Sequence, residues 1–157
     1  MAQGMRNEME QRVLDDIKRY GWHLIIVPDD EEGPGFVYSV GMMQTLNHPE
    51  IIMFGLDANL MVDVINGMGE EIRKGRRFAE AGLFDDFLKG FACKITPVAK
   101  RWHAEYMGYA IRHHQHTGQA GEFEAVQCVW PDKQGRFSDD PKCDPKVVAC
   151  QPRLDKA

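Results

Sequence analysis

The stretch YSVGMMQTLNHPEIIMFGL, Tyr38 to Leu56, holds two apolar runs on either side of the polar knot Asn47-His48-Pro49-Glu50, and each run carries an internal glycine. Its reading decides the fold. FVYSVGM, Phe36 to Met42, and EIIMFGL, Glu50 to Leu56, are largely apolar on both faces. Strands of that kind lie inside a sheet covered on two sides. Asn and Pro are turn formers, so the knot is read as a turn between two interior strands.

Upstream, residues 5–20 place Met9, Val13, Leu14, Ile17 and Tyr20 on one helical face, and Gly21 is a natural stop. Trp22 to Pro28 is a β-rich run closed by proline, and the acidic stretch Asp29 to Gly35 is a solvated loop. Downstream, Asp57 caps a helix running through Met61, Val64, Ile65, Met68 and Ile72. Gly67 and Gly69 weaken it by about 1 kcal/mol each, which points to a bend or a closely packed neighbour. The basic string Arg73-Lys74-Gly75-Arg76-Arg77 closes that helix. It is read as complementing the negative end of the helix dipole in preference to an anion site, because backbone N–H groups point the other way.

Phe78 to Gly90 is expected as a short helix and loop, Phe91 to Val98 as a strand, and Trp102 to His116 as one helix. Thr117 to Gly121 reads as a turn. Phe123 to Trp130 is a strand, with Phe123, Ala125, Gln127 and Val129 on one face and Glu124, Val126, Cys128 and Trp130 on the other. Pro131 to Gly135 is a tight turn, and residues 136–157 are expected to form an irregular tail. Helices and strands mix without strict β-α-β alternation. The expectation is an α+β fold, one domain over residues 1–157, built on a mainly antiparallel sheet with helices packed on it.

A chain of 157 residues can bury roughly 70% of its unfolded surface and needs no staples. The net charge of −5 and pI near 5.7 make nucleic acid an unexpected partner, since polyanion binding leans on Lys and Arg. The polar start MAQGMRNEMEQRV is no signal peptide, and no window approaches the ~20 apolar residues of a membrane span. A cytoplasmic location, without membrane contact, follows as the expectation. Cys93, Cys128, Cys143 and Cys150 lack C-x-x-C spacing and are expected as reduced thiols.

Phosphate-loop, dinucleotide, H-E-x-x-H and G-x-S-x-G motifs are all absent from the sequence. No cofactor is indicated. His113 and His116 share a helical face and could hold a metal with a ligand from elsewhere, such as a tail thiol. His103 lies about 16 Å from His114 along a straight helix, too far to join them. The preferred reading is a wet helix end, with no metal site assigned. His48 and Glu50, two apart, would point to one side and form an acid/base pair if the strand began at Glu50; the preferred reading is a plain turn with Glu50 solvated and the flanking glycines relieving helix packing. Gly41 and Gly55 mark places where a ligand or backbone comes close. Trp130-Pro131-Asp132 places an aromatic beside a turn, as a stacking platform or a core cap.

In combination these segments resemble an uncharacterised bacterial family known as domain of unknown function 4262. The resemblance rests on Tyr38-Ser39-Val40-Gly41-Met42, on His48-Pro49-Glu50 and on Gln127 through Phe137. Ser138-Asp139 departs from the pattern, which has Pro-Trp there. The resemblance brings no activity. It implies that the H-P-E knot and the W-P-D turn belong to one recurring pattern and meet around one pocket or core corner.

Three functions are therefore carried forward. The first is a binding module for a small molecule or a protein partner, with Tyr38, Ser39, Gly41 and Trp130 as ligand-binding residues. The second is a small hydrolase or transferase with His48, Glu50 and Asp132 as catalytic residues. The third is a His/Cys metal site. Chemistry at the knot requires His48 and Glu50 to share a cavity with Asp132.

Overall fold

A computed structural model describes residues 2–78, 82–116 and 123–155 of the chain, with side chains over 8–78, 82–115 and 123–155. Its centre is the five-residue strand β3 (Glu50–Phe54), every residue of which is buried. Such a strand must be covered on both faces, and it is. Ile51 and Met53 point into one core with Met61, Val64, Ile65 and Met68 of helix α3 (Ala58–Arg73). Ile52 and Phe54 point into a second core with Val13 and Ile17 of α1 (Ala2–Tyr20) and Ala110 of α5 (Gly108–His116). The period-2 alternation of a strand thus feeds two cores from one run of sequence.

The remaining strands are β1 (His23–Val27), β2 (Phe36–Val40), β4 (Gly82–Leu88), β5 (Phe91–Pro97) and β6 (Ala125–Val129). They form one open sheet in the order β1-β2-β3-β6-β5-β4. All pairings are antiparallel except β3 with β6, where Glu50 lies beside Ala125 and Ile52 beside Gln127. β6 repeats the division of labour: Val126 and Cys128 enter the α3 core, and Ala125 enters the other. The fold is α+β with a mostly antiparallel sheet, as its sequence pattern implied.

Asp57 caps α3 through its side chain on the Asn59 amide, as read from sequence. Four other segments depart from expectation. The strand through Met42 stops at Val40, and Met42–Leu46 forms the short helix α2. Gly41 turns the chain there with φ of 110°, and a Cβ on it would lie 2.7 Å from Ile17 of α1. The Phe78–Gly90 segment, expected as helix and loop, contains edge strand β4. Phe84, Phe87 and Leu88 have helical spacing, but a register shift between Phe84 and Leu88 lets an extended chain turn all three against the α3 core. Residues 79–81, and the turn expected over 117–121, lie outside the described residues.

The single helix expected over Trp102–His116 is two, α4 (Arg101–Tyr106) and α5, broken at Met107 with φ −123° and ψ 39°. The tail is not wholly irregular. Asp144 caps α6 (Pro145–Cys150), and the Cys150 carbonyl seats over Gly55, where a Cβ would come within 2.6 Å. Leu154 then closes the α1/α5 core. Its amide donates to Gln127 (3.3 Å), and its carbonyl accepts from Ala99 (2.7 Å). At the Ser138-Asp139 departure, Asp139 pairs with Lys94 instead, and that ammonium also lies 5.4 Å from the Phe137 ring centroid.

Candidate functional site

Asn47 sits in the left-handed region (φ 52°) and ends α2, so the chain enters β3 through Pro49 out of extended register. The parity rule that would place His48 beside Glu50 holds only within extended chain. The two residues part. The His48 ring packs edge-on against Phe78 on the α3 side of the sheet. The Glu50 carboxylate meets His114 of α5 on the other side, Nε2 to Oε2 at 3.1 Å.

Both residues are fully buried and fully engaged. Glu50 accepts from the Ser39 hydroxyl (2.7 Å) and from the amides of Gly41 (2.9 Å), Met42 (3.1 Å) and Met43 (3.4 Å). The latter three open α2, so a distant carboxylate caps that helix. His114 completes the set, with its Nε2 on the same oxygen that meets the Gly41 and Met43 amides. Ser39 is equally committed, since its oxygen accepts from the Ile51 amide at 2.9 Å. His48 donates Nδ1–H to the Pro49 carbonyl (2.8 Å) and accepts at Nε2 from the Phe78 amide (2.9 Å). Burial holds its pKa below the ordinary histidine value. The Pro49 carbonyl opposes that shift and the Arg77 charge reinforces it. A neutral imidazole whose lone pair is already used is not poised to take a proton from substrate.

Asp132 is elsewhere. Glu50 pairs with the first residue of β6, whereas Asp132 lies three residues beyond its last, which is itself about 13 Å along the strand. Its carboxylate organises the tail, accepting from the amides of Gln134 (2.9 Å), Arg136 (2.9 Å) and Asp144 (3.0 Å). Those bonds, Arg136 first, hold its pKa below the carboxylate range. Trp130 donates its indole N–H to the Phe54 carbonyl (2.7 Å) and so caps the core. Tyr38 receives the Tyr109 amide at its hydroxyl (3.3 Å), and burial pushes its pKa up to about 12. The anticipated convergence of His48, Glu50 and Asp132 therefore fails: two ends of one sheet separate them.

Among five cavities that open on the described surface, none is lined by Tyr38, Ser39, Gly41, His48, Glu50, Trp130 or Asp132. One lies at the mouth of the knot itself. It measures about 520 Å³ and is lined by Met43, Asn47, Pro49, Arg77, Lys100, Phe123 and Glu124. Arg77 donates through its guanidinium to the carbonyls of Leu46 (3.1 Å) and Asn47 at the end of α2. The basic string is thus divided: Arg73, Lys74 and Arg76 pair with Glu70, Glu71 and Asp86, while Arg77 turns to the knot.

Phe123, on the wall of this cavity, stacks on His103 (4.5 Å between centroids) and on His114 (4.9 Å). The break at Met107 allows this, since a straight helix would hold those imidazoles about 16 Å apart. His103 is buried, with its Nε2 unbonded, and its pKa is lowered by burial and by Lys100. His113 contacts Gln44 at 2.8 Å, and the His116 side chain lies outside the described ones. Among the described residues no group of three or more His, Cys, Asp or Glu could hold a metal ion. Sequence reasoning missed Arg77, Lys100, Phe123 and His114 as neighbours of the knot. The pairing of β3 with β6 brings Phe123 there, the segment after α3 brings Arg77, the start of α4 brings Lys100 and α5 brings His114.

A family model described as domain of unknown function (DUF4262) matches residues 16–144. No curated protein and no solved structure matches the chain. No helix among the described residues is long and apolar enough to cross a membrane.

Proposed function

The chain belongs to the DUF4262 family, and from that premise we propose that it is a cytoplasmic binding module whose small ligand sits in the cavity at the mouth of the H-P-E knot. One observation carries the reading. The cavity sets three apolar residues (Met43, Pro49, Phe123) beside four polar or charged ones (Asn47, Arg77, Lys100, Glu124), so it is more polar than the usual small-molecule pocket and offers several groups that can fix a ligand's orientation. Behind it stands a polar network that holds the wall in place: Glu50 anchors the start of α2, and His48 ties the knot to Phe78. Pre-organisation of this kind lowers the cost of binding.

The rival reading, hydrolysis or group transfer by His48 and Glu50, loses support because every polar atom of that pair already has a protein partner. The test is a fragment screen followed by amide chemical-shift mapping on the full chain. Hits are expected to shift Met43, Asn47, Phe123 and Glu124 together, and Phe123→Leu is expected to weaken them while leaving the fold intact. If hits cluster only at other surfaces, the proposal is wrong.

A further inference from the structure

Resting on that reading of the cavity, we propose that its ligand is a small anion, a carboxylate or a phosphate carried on an apolar body, held between Arg77 and Lys100. Both cations line the cavity, one from the segment after α3 and the other from the segment before α4. Among the described residues neither has a carboxylate within ion-pair distance, whereas the other three cations of the same basic string all do. Arg77 is also held in place. Two of its N–H groups are spent on the Leu46 and Asn47 carbonyls, and the rest of the fork is left for a further acceptor.

The positive charge at this corner is felt inside the protein. Arg77 acts on His48 and Lys100 acts on His103, and each cation disfavours the protonated form of its neighbour. An anion between the two cations would offset both. Phe123 and Met43 supply the surface against which an apolar body packs. Among the described residues Glu124 is the one carboxylate on the wall, and its charge opposes an anion. It therefore provides a control of opposite sign.

The experiment uses the full chain and four probes sharing one aromatic body: phenyl phosphate, phenylacetate, benzyl alcohol and benzylamine. Affinity is read from the amide shifts of Met43, Asn47, Phe123 and Glu124. Both anions are expected to bind about tenfold tighter than the alcohol or the amine, as charge-assisted hydrogen bonds require. Their order tells phosphate from carboxylate. Arg77→Met and Lys100→Met should each weaken the anions about two- to fivefold, the range of partly exposed charge pairs, and Glu124→Gln should strengthen them. Raising salt from about 0.05 to 0.5 M should erode the preference. Should Arg77→Met fail to fold for want of its two carbonyl contacts, Lys100→Met decides alone.

Equal binding of all four probes at these residues, unaltered by Lys100→Met, overturns the anion while the cavity remains the site. If no probe shifts these residues, the cavity reading itself falls and takes the anion with it.

Discussion

Glu50 is the residue on which the knot depends. A carboxylate without exposure survives because its acceptor positions meet a hydroxyl, three amides and an imidazole. Glu50→Gln turns an amide N–H₂ toward groups that themselves donate, so a loss of about 2–3 kcal/mol is expected in urea unfolding. A loss below about 1 kcal/mol would mean that the network is not the anchor described. His48 and His103 set a pH dependence. Both have folded pKa values below the ordinary 6.5. Between the folded and unfolded values the unfolded chain binds more protons, so stability falls as pH drops below about 6.5. His103→Phe keeps the stack on Phe123, removes the unbonded nitrogen and should flatten that slope without loss at about pH 7; an unchanged slope would count against His103. Sequence put His48 and Glu50 forward as a pair and read Glu50 as solvated, whereas it is buried among donors. Their pairing was inferred from strand parity, and one left-handed residue, Asn47, cancels parity.

The packing of α1 turns on a missing side chain. Gly41 permits both the positive φ that starts α2 and the approach of Ile17. Gly41→Ala meets strain and overlap together and should cost about 1–3 kcal/mol. Ile17→Ala in the same chain should recover the overlap part only, which a double-mutant cycle on urea midpoints would read. Elements with one dominant signal were legible: α3 from its cap and stripe, β3 and β6 from their apolar runs. β4 was not, because Phe84, Phe87 and Leu88 fit a helix as well as a bulged edge strand. The break between α4 and α5 carries no Pro to announce it; Met107 is buried in the core at the bend.

At the scale of the molecule, β3 and β6 alone form the parallel seam, and both face two cores. Their amides at Ile51–Met53 and Val126–Cys128 should exchange with solvent only on global unfolding, while β4, paired on one side, should open earlier. Hydrogen-exchange mass spectrometry would separate the two, and a protected β4 would contradict this ranking. The sheet class was readable because alternation and turn residues are local. The meeting of Arg77, Lys100 and Phe123 was not, because three distant segments make it. Leu154 carries a last consequence. The family match stops at residue 144 and begins at 16. Yet Leu154 and Val13, both outside those bounds, are buried members of the α1/α5 core. A fragment trimmed to the matched bounds would expose the underside of its own sheet. The matched span and the cooperative folding unit are different lengths of chain, and an excised 16–144 piece should aggregate where the whole chain stays folded.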